Sequence, residues 1–235
     1  MRRLRLRVRH VAVTRPFHRV PSLPPPRPCR WPLKPLSSAS TALGYLNDGR
    51  MELTIEHELI RGVTPRMLLW WFTQIEGEME YEGQTLSRYL VWHPLDHIGY
   101  AIARRAPDGS VGKGARFHIQ EAFGRNPDYL VDVVDDVEKL DETGIRLVQR
   151  LFGRTPYFEL EHCWREVDGG TEYRSRMLVG SASSFGRILF NRLVRPRVFP
   201  ETMGRAWLRH NVEEVGNFEN FLPHLYADEP PSPPR

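Results

Sequence analysis

The chain has 235 residues, a formal net charge of +4 at pH 7 and a sequence pI of about 9.3. Residues 1–50 hold eleven of its 33 basic residues but one of its 29 acidic residues, Asp48, which leaves 22 basic and 28 acidic residues from Met51 onward. The acidic body argues against a nucleic-acid-binding domain, and no stretch approaches the ~18 apolar residues of a membrane span. The two cysteines, Cys29 and Cys163, provide no disulfide framework, so we expect a cytoplasmic protein.

Residues 1–50 are predicted to be a disordered tail, because they contain eight of the 20 prolines and little apolar periodicity. Three interpretations compete: a transit-like peptide, a basic interaction arm, or the product of an early start codon, with Met51 as the natural start. We favour the third. The folded body is predicted to cover residues 51–226, and the proline-rich residues 227–235 are predicted to be a disordered C-terminus.

The body begins with an alternating segment at 51–60, which predicts a strand. A helix follows, with Thr64 as N-cap and Pro65 at its first position, and ends near Gly77. Residues 86–90 are predicted to form a short helix or turn, followed by a loop. Strands are then predicted at 98–105, 115–122, 129–140, 144–152, 157–167 and 171–180.

Two helices are predicted to close the chain, one at 185–195 ended by Pro196 and one at about 200–221 closed by Pro223. The order of elements predicts an α+β domain in which a curved antiparallel sheet wraps around a long C-terminal helix. Such an arrangement leaves an internal cavity between the sheet and the helix.

Polar residues on apolar faces indicate a site. His210 and Glu214 are four apart on the last helix and share a face with Trp207, where burial is costly unless their polar atoms are satisfied. Alternation along 117–121 likewise puts Glu121 with the apolar side chains of its strand. A solvated strand end or an internal hydrogen bond would explain each of these residues separately.

The segment from Tyr89 to His97 supplies further candidates, because it contains His93, Asp96 and His97 within a few residues. Asp96 or a backbone carbonyl could fix a histidine tautomer by hydrogen bonding from outside the site. Chemistry alone does not choose between His93 and His97 as a metal ligand.

The aromatic run at 67–72, the run from Arg88 to His97, the segment His-Ile-Gln-Glu121 and the pair His210-x-x-x-Glu214 together resemble the diacetylphloroglucinol hydrolase and phloretin hydrolase family. The likeness extends over about residues 50–225. It implies a helix-grip (Bet v 1-like) fold and a Zn²⁺ site. The implied ligands are His97, Glu121, His210 and Glu214; His97 is preferred over His93 because a family tyrosine lies eight residues before the ligand, where Tyr89 stands here.

The resemblance also implies hydrolysis of a carbon–carbon bond between an acyl group and a phenolic ring, with a small aromatic ketone as substrate. Tyr89 and His162 are the implied catalytic residues, and Tyr173 is a weaker candidate. Two departures bear on the substrate: the N-terminal extension of characterised members is replaced by the proline-arginine tail, and Tyr100 stands where a smaller polar contact is expected.

The competing hypothesis is a non-catalytic helix-grip carrier of a small apolar or aromatic ligand, since fold alone does not decide function. A carrier needs no two-His, two-Glu cluster in its cavity. Nucleic-acid binding rests on the basic tail alone and predicts a steep salt dependence that disappears when residues 1–50 are deleted. We therefore expect neither a nucleic-acid nor a membrane partner, and homo-oligomerisation is left open.

Overall fold

The computed structural model of the protein describes residues 22–151 and 153–229. Residues 1–21 and 230–235, which belong to the predicted tails, lie outside the described residues. Phe152, the last residue of the strand predicted at 144–152, also lies outside them.

One antiparallel sheet dominates the described structure. Its strands follow the order β1-β2-β11-β10-β9-β8-β7-β6, with β3 paired to β11, and β4 and β5 form a separate hairpin. The strands are β1 (Ser40–Tyr45), β2 (Met51–Glu56), β3 (Ile60–Arg61), β4 (Glu78–Tyr81), β5 (Gln84–Ser87), β6 (His97–Arg104), β7 (Arg116–Ala122), β8 (Leu130–Asp141), β9 (Gly144–Leu151), β10 (Thr155–Val167) and β11 (Gly170–Val179).

The helices are α1 (Pro65–Gln74), α2 (Arg88–Trp92), α3 (Ser184–Leu189), α4 (Arg195–Val198) and α5 (Glu201–Asp228). Thr64 caps α1 as predicted, because its hydroxyl accepts a hydrogen bond from the amide of Met67 at 3.3 Å. A five-residue π-helix, Phe190–Val194, joins α3 to α4.

Two buried apolar clusters hold the sheet and α5 together. Val215, Phe218 and Phe221 of α5 pack with α1, α2 and strand residues in one cluster, while Met203 and Val212 pack with β2 and β11 in the other. The long C-terminal helix therefore lies against the inner face of the sheet along most of its length. This arrangement confirms the predicted α+β helix-grip fold.

The N-terminal boundary predicted at residue 50 is wrong. Residues 40–45 form the strand β1, which pairs with β2 from Ser40↔Glu56 to Tyr45↔Met51. Ahead of β1, the Nη1 of Arg27 donates to the carbonyl of His97 at 3.0 Å, and the ammonium of Lys34 lies 2.9 Å from a carboxylate oxygen of Glu219. The amino-acid composition does not reveal these contacts, because single side chains such as Arg27 and Lys34 hold a segment that has no apolar periodicity.

The predicted strand at 51–60 is interrupted between β2 and β3, and the hairpin β4–β5 was not predicted. Its turn uses Glu82 and Gly83, both at positive φ (52° and 74°), and Glu-Gly is a weaker sequence signal for such a turn than Asn-Gly or Asp-Gly. The predicted short helix at 86–90 is displaced to α2.

Both proline-based helix ends were also wrong. Pro196 lies in the first turn of α4, where an amide hydrogen is not needed, and the helical segment continues to Val198. The helix α5 continues through Pro223 to Asp228, and the burial of Phe221 and Leu222 next to Pro223 offsets one missing backbone hydrogen bond. Within 22–151 and 153–229, no helix combines the length and the apolar character needed to cross a membrane.

Candidate metal centre and adjoining cavities

Four predicted ligands meet between the sheet edge and α5. His97 begins β6 and is the register partner of Glu121 on β7, so the two side chains face one another across neighbouring strands. His210 and Glu214 project from one face of α5, four residues apart, and are 2 % and 6 % exposed. The alternation argument for Glu121 and the helical spacing of His210 and Glu214 thus describe one cluster.

The distances within this cluster are close to those between ligands of one ion. The Nε2 of His97 lies 3.5 Å from the Oε2 of Glu121 and 3.4 Å from the Oε2 of Glu214. The Nε2 of His210 lies 3.1 Å and 3.7 Å from the same two oxygens. One atom each of His97, Glu121 and His210 fall within 4.8 Å of one another, as a metal site requires.

The ring of His97 is oriented by the backbone. Its Nδ1 lies 2.6 Å from the carbonyl oxygen of Tyr89, so Nδ1 carries the hydrogen and Nε2 presents a lone pair to the cluster. The ring also stacks on Tyr89, with centroids 3.8 Å apart. Among the described residues the buried Nε2 has no hydrogen-bond partner, which fits a metal ligand better than a packed core histidine.

The ring of His210 is oriented by a carboxylate. Its Nδ1 lies 3.0 Å from the Oδ2 of Asp96, and Asp96 in turn accepts hydrogen bonds from the amides of Gly124 and Arg125 at 2.8 and 3.1 Å. A carboxylate–histidine pair of this kind directs Nε2 toward a metal and raises its basicity. Asp96 and the Tyr89 carbonyl therefore occupy the orienting positions that the sequence suggested for Asp96 or a backbone carbonyl.

The two carboxylates are anchored as well. The amide of Asn211 donates to the Oε1 of Glu214 at 2.5 Å, and the hydroxyl of Tyr89 lies 3.3 Å from the Oε2 of Glu121. The helix itself is clamped to α2, because the indole of Trp92 donates to the carbonyl of Glu214 at 2.8 Å. Asn211 was missed by the sequence argument; its position three residues before Glu214 on the same helix was the available signal.

His93 has a different environment. Its Nδ1 accepts the amide hydrogen of Asp96 at 3.1 Å and its Nε2 lies 3.1 Å from Glu213, so both ring nitrogens are engaged. His93, Asp96 and His210 also lie close enough to form a metal-binding group. Within that group Asp96 already contacts the Nδ1 of His210 at 3.0 Å, so an ion there would compete with the contact that orients His210, whereas an ion in the His97 cluster leaves it intact. The geometry therefore favours His97 over His93.

The electrostatics of the cluster suit a cation. Burial lowers the pKa of His97 well below its usual range, so this ring is neutral. For His210 burial also opposes the charge, but Glu214 and Glu121 together raise its pKa well above the usual value. Two carboxylates concentrated in a buried site thus attract positive charge, and a proton on His210 supplies it when no metal does.

The implied catalytic residues occupy different positions. Tyr89 and His162 line a small cavity of about 50 Å³ together with Glu121 and Glu214. Tyr100 lines it too, and its buried hydroxyl has no hydrogen-bond partner among the described residues. Tyr173 does not line this cavity; its ring lies 5.3 Å from that of His162 and stacks on Trp164.

Burial keeps both His162 and Tyr89 uncharged. Burial lowers the pKa of His162 to about 4, and its Nδ1 lies 2.8 Å from the hydroxyl of Ser175. The same hydroxyl lies 2.8 Å from the Nε2 of His57, a residue that the sequence argument did not select. Burial and Glu121 raise the pKa of Tyr89 well above its usual value, so Tyr89 keeps its proton.

A second cavity of about 330 Å³ adjoins the first and is mostly apolar. The two cavities share four lining residues, Ile119, Glu121, Leu160 and Trp207. Glu121 therefore stands between a candidate metal centre and a chamber large enough for a small organic molecule. The depression of about 840 Å³ bordered by Arg66, Lys113 and Glu142 lies outside this site.

Comparison with known proteins identifies the family. The family model described as the DAPG hydrolase PhiG domain matches residues 37–227. The chain belongs to this family. The match begins before residue 51, in agreement with the position of β1, and membership of the DAPG hydrolase family supports a hydrolase function. No curated protein was found to match the chain.

Several solved structures are similar at low identity. Ara h 8.0201 is 11% identical, with a TM-score of 0.40, covering 75% of this chain and 97% of that one. A protein of unknown function, SA2116 from Staphylococcus aureus, is 12% identical, with a TM-score of 0.40 and coverage of 77% and 97%. Ms6760 from Mycobacterium smegmatis is 12% identical, with a TM-score of 0.40 and coverage of 80% and 96%.

Proposed function

We propose that this chain is a zinc-dependent hydrolase that cleaves the carbon–carbon bond between an acyl group and a phenolic ring, or a related bond of an aromatic ketone. The observation that carries the proposal is the convergence of two imidazole nitrogens and two carboxylate oxygens at the wall of an apolar cavity, where each Nε2 lies 3.1–3.7 Å from both oxygens. Family membership supports the hydrolytic chemistry.

The donor set fits zinc. His97 and His210 offer neutral nitrogen ligands, Glu121 and Glu214 offer oxygen ligands, and a mixture of imidazole and carboxylate suits Zn²⁺ among the divalent ions. Two carboxylates balance the charge of one divalent cation, which makes its burial less costly. The unpartnered Nε2 of His97 is the donor that such an ion would satisfy.

Bound zinc would supply Lewis acidity toward a carbonyl oxygen and lower the pKa of a water molecule. Tyr89, held in its protonated form, turns its single hydroxyl hydrogen from Glu121 to a phenolic or carbonyl oxygen of the substrate. His162, a neutral imidazole on the cavity wall, accepts a proton and returns it to the ring carbon that leaves. Tyr173 packs against His162 and positions its ring.

The alternative is a carrier that binds a small apolar or aromatic ligand without chemistry. The mostly apolar chamber of about 330 Å³ favours this function on its own. The buried four-residue cluster favours the hydrolase, because a carrier has no use for two carboxylates desolvated beside its ligand.

The test of the metal site is zinc analysis of the purified protein beside its His210→Ala and Glu214→Ala variants. We expect one zinc per chain in the wild type and a loss of affinity in each variant that exceeds the roughly 100-fold upper range for outer partners. His118→Ala is the matched control, because His118 lies on the outer face of β7 and pairs with Asp132. Full zinc occupancy in both variants would contradict the ligand assignment.

The test of the chemistry is a panel of acyl-phenols incubated with the zinc-loaded protein. We expect release of a carboxylic acid and the deacylated phenol, detected by mass spectrometry, and loss of both products in His162→Gln. A zinc-loaded protein that binds the panel but releases no acid would support the carrier instead.

A further inference from the structure

The inner face of β8 carries a second buried carboxylate. Asp135 is 2 % exposed and lies on the same side of its strand as Val131 and Val133, opposite Phe117 of β7. Its Oδ1 has no hydrogen-bond partner within the described part of the chain. A buried, half-satisfied carboxyl is costly, and it needs a reason that core packing does not provide.

Two polar residues hold Asp135 in place. Gln149, on the neighbouring strand β9, hydrogen-bonds the Asp135 carboxyl and so favours its charged form. The hydroxyl of Tyr157 on β10 donates to the Oε1 of Gln149 at 2.8 Å, which leaves the amide nitrogen of Gln149 for the carboxyl. Successive strands thus supply a chain from Tyr157 through Gln149 to Asp135.

This chain opens into the apolar chamber of about 330 Å³. Asp135, Gln149 and Tyr157 all line it, and the rest of its wall is largely aliphatic and aromatic. Glu121 lines the same chamber, but it pairs with Val131, four residues along β8 from Asp135. At ~3.3 Å per residue, the backbone positions of these two residues are offset by roughly 13 Å along the strands.

The surroundings of Asp135 indicate a hydrogen-bond donor as its partner and not a metal. No other His, Cys or carboxylate of the described residues joins Asp135 in a group that could hold an ion. Burial, assisted by Glu121 and Asp136, raises the pKa of Asp135 to about 7, although Gln149 opposes the shift. A neutral hydroxyl or amine would satisfy the free oxygen without adding a second charge.

We propose that Asp135, held by Gln149 and Tyr157, is a ligand-recognition site that accepts a hydrogen bond from a hydroxyl or amine at the end of the bound molecule remote from Glu121. Since the Asp135 and Glu121 ends each offer a polar contact, the ligand we expect is an elongated aromatic compound with a polar group at each end. Its identity as a ketone rests on the proposed function, whereas the recognition of its distal donor group does not.

The experiment compares two probes, 4-hydroxyacetophenone and 4-methylacetophenone, which differ in one group of similar size. Calorimetric titration into the zinc-loaded wild type is expected to show at least about tenfold tighter binding of the hydroxyl probe, the effect of one hydrogen bond to a charged or strongly polar acceptor. In Asp135→Leu the preference is expected to vanish or reverse. Asp136→Asn, next along β8 on the outer face and paired with Arg116, is the matched control and should keep the preference.

Asp135→Asn provides a second variant of nearly equal shape, and it should retain part of the preference because its amide oxygen still accepts a hydrogen bond. Equal binding of both probes by the wild type, or an unchanged preference in Asp135→Leu, would overturn the proposal. The titration is repeated with protein from which a chelator has removed the metal, and this separates the two hypotheses. If the hydroxyl preference persists there and the protein neither binds zinc nor turns over acyl-phenols, the Asp135 site is supported while the proposed hydrolase fails.

Discussion

The two ends of the cavity system surround a lining carboxylate in opposite ways. At the Glu121 end, a second carboxylate and two histidines surround the group, and Asp96, Asn211 and Tyr89 orient this cluster through hydrogen bonds. At the Asp135 end, one carboxylate lies among apolar side chains, and within 22–151 and 153–229 its supporting side-chain hydrogen bond comes from Gln149. Concentrated negative charge favours a cation, and an isolated buried carboxyl favours a proton or a donor group. We therefore expect a metal ion at the Glu121 end and a hydrogen-bond donor at the Asp135 end, although the two residues lie on the paired strands β7 and β8.

The largest expected effect concerns the pH dependence of stability at the Asp135 end. The pKa of Asp135 is raised from 3.8 to about 7, so the folded state binds the proton more tightly and its stability falls as pH rises through this range. Relative to Asp135→Leu, the wild type should lose about 2.5 kcal/mol of unfolding free energy between pH 5 and pH 8. Urea unfolding across that range measures it, and Asp135→Asn should behave like Asp135→Leu. Parallel curves for wild type and Asp135→Leu would mean that Asp135 does not titrate there.

The next effect concerns the orientation of His210 at the Glu121 end. Asp96→Asn replaces one carboxylate oxygen by an NH2 group. Either His210 and the amide of Gly124, which share Oδ2, or the amide of Arg125 on Oδ1 then loses its acceptor. We expect zinc affinity to fall about 10- to 100-fold, measured by competition with a chelator, with the fold retained. Asp128→Asn, in an exposed turn, is the control. An Asp96→Asn protein with wild-type affinity would show that His210 needs no orienting carboxylate.

A smaller effect concerns the neutral histidine on the wall of the small cavity. Burial lowers the pKa of His162 from 6.5 to about 4, so the unfolded state binds more protons and stability falls as pH decreases from 6.5. His162 should contribute a loss of about 1.5 kcal/mol between pH 6.5 and pH 5. His162→Gln should flatten the urea-unfolding profile by that amount, while His118→Gln, on the outer face, should leave it unchanged. An equal slope in His162→Gln would place the titration elsewhere.

The sequence predicts those parts of the fold that produce a regular pattern of apolar residues or a regular spacing of polar ones. Alternation located β2 and the strands from β6 to β11, and a four-residue spacing located His210 and Glu214 on α5. The same alternation that selected Glu121 also puts Asp135 inward with Val131 and Val133. No histidine pattern in the sequence pairs with Asp135, so alternation alone does not mark it as a site residue. Chain composition could not predict β1, because its pairing with β2 joins residues 6 to 16 positions apart and leaves no mark on the composition of residues 1–50.

Other parts of the site depend on the third dimension and leave no local pattern. The hydrogen bond between His57 and Ser175 joins residues 118 positions apart. The pairing of Asp96 with His210 spans a similar distance. A sequence reading recognises that Asp96 can orient a histidine, but it cannot determine which one, since both His93 and His97 stand nearer in the chain than His210.

His93 and His97 differ in how well they can serve as the metal ligand. His93 satisfies both ring nitrogens through the amide of Asp96 and the carboxylate of Glu213, whereas His97 leaves Nε2 without a partner among the described residues. His93→Gln should therefore lower zinc affinity by less than the roughly tenfold minimum typical of an outer orienting partner, and His97→Gln by much more. Chelator competition on the two variants measures both values at once. If the order is reversed, the ion belongs to the group formed by His93, Asp96 and His210, and Glu121 then lines the cavity without holding a metal.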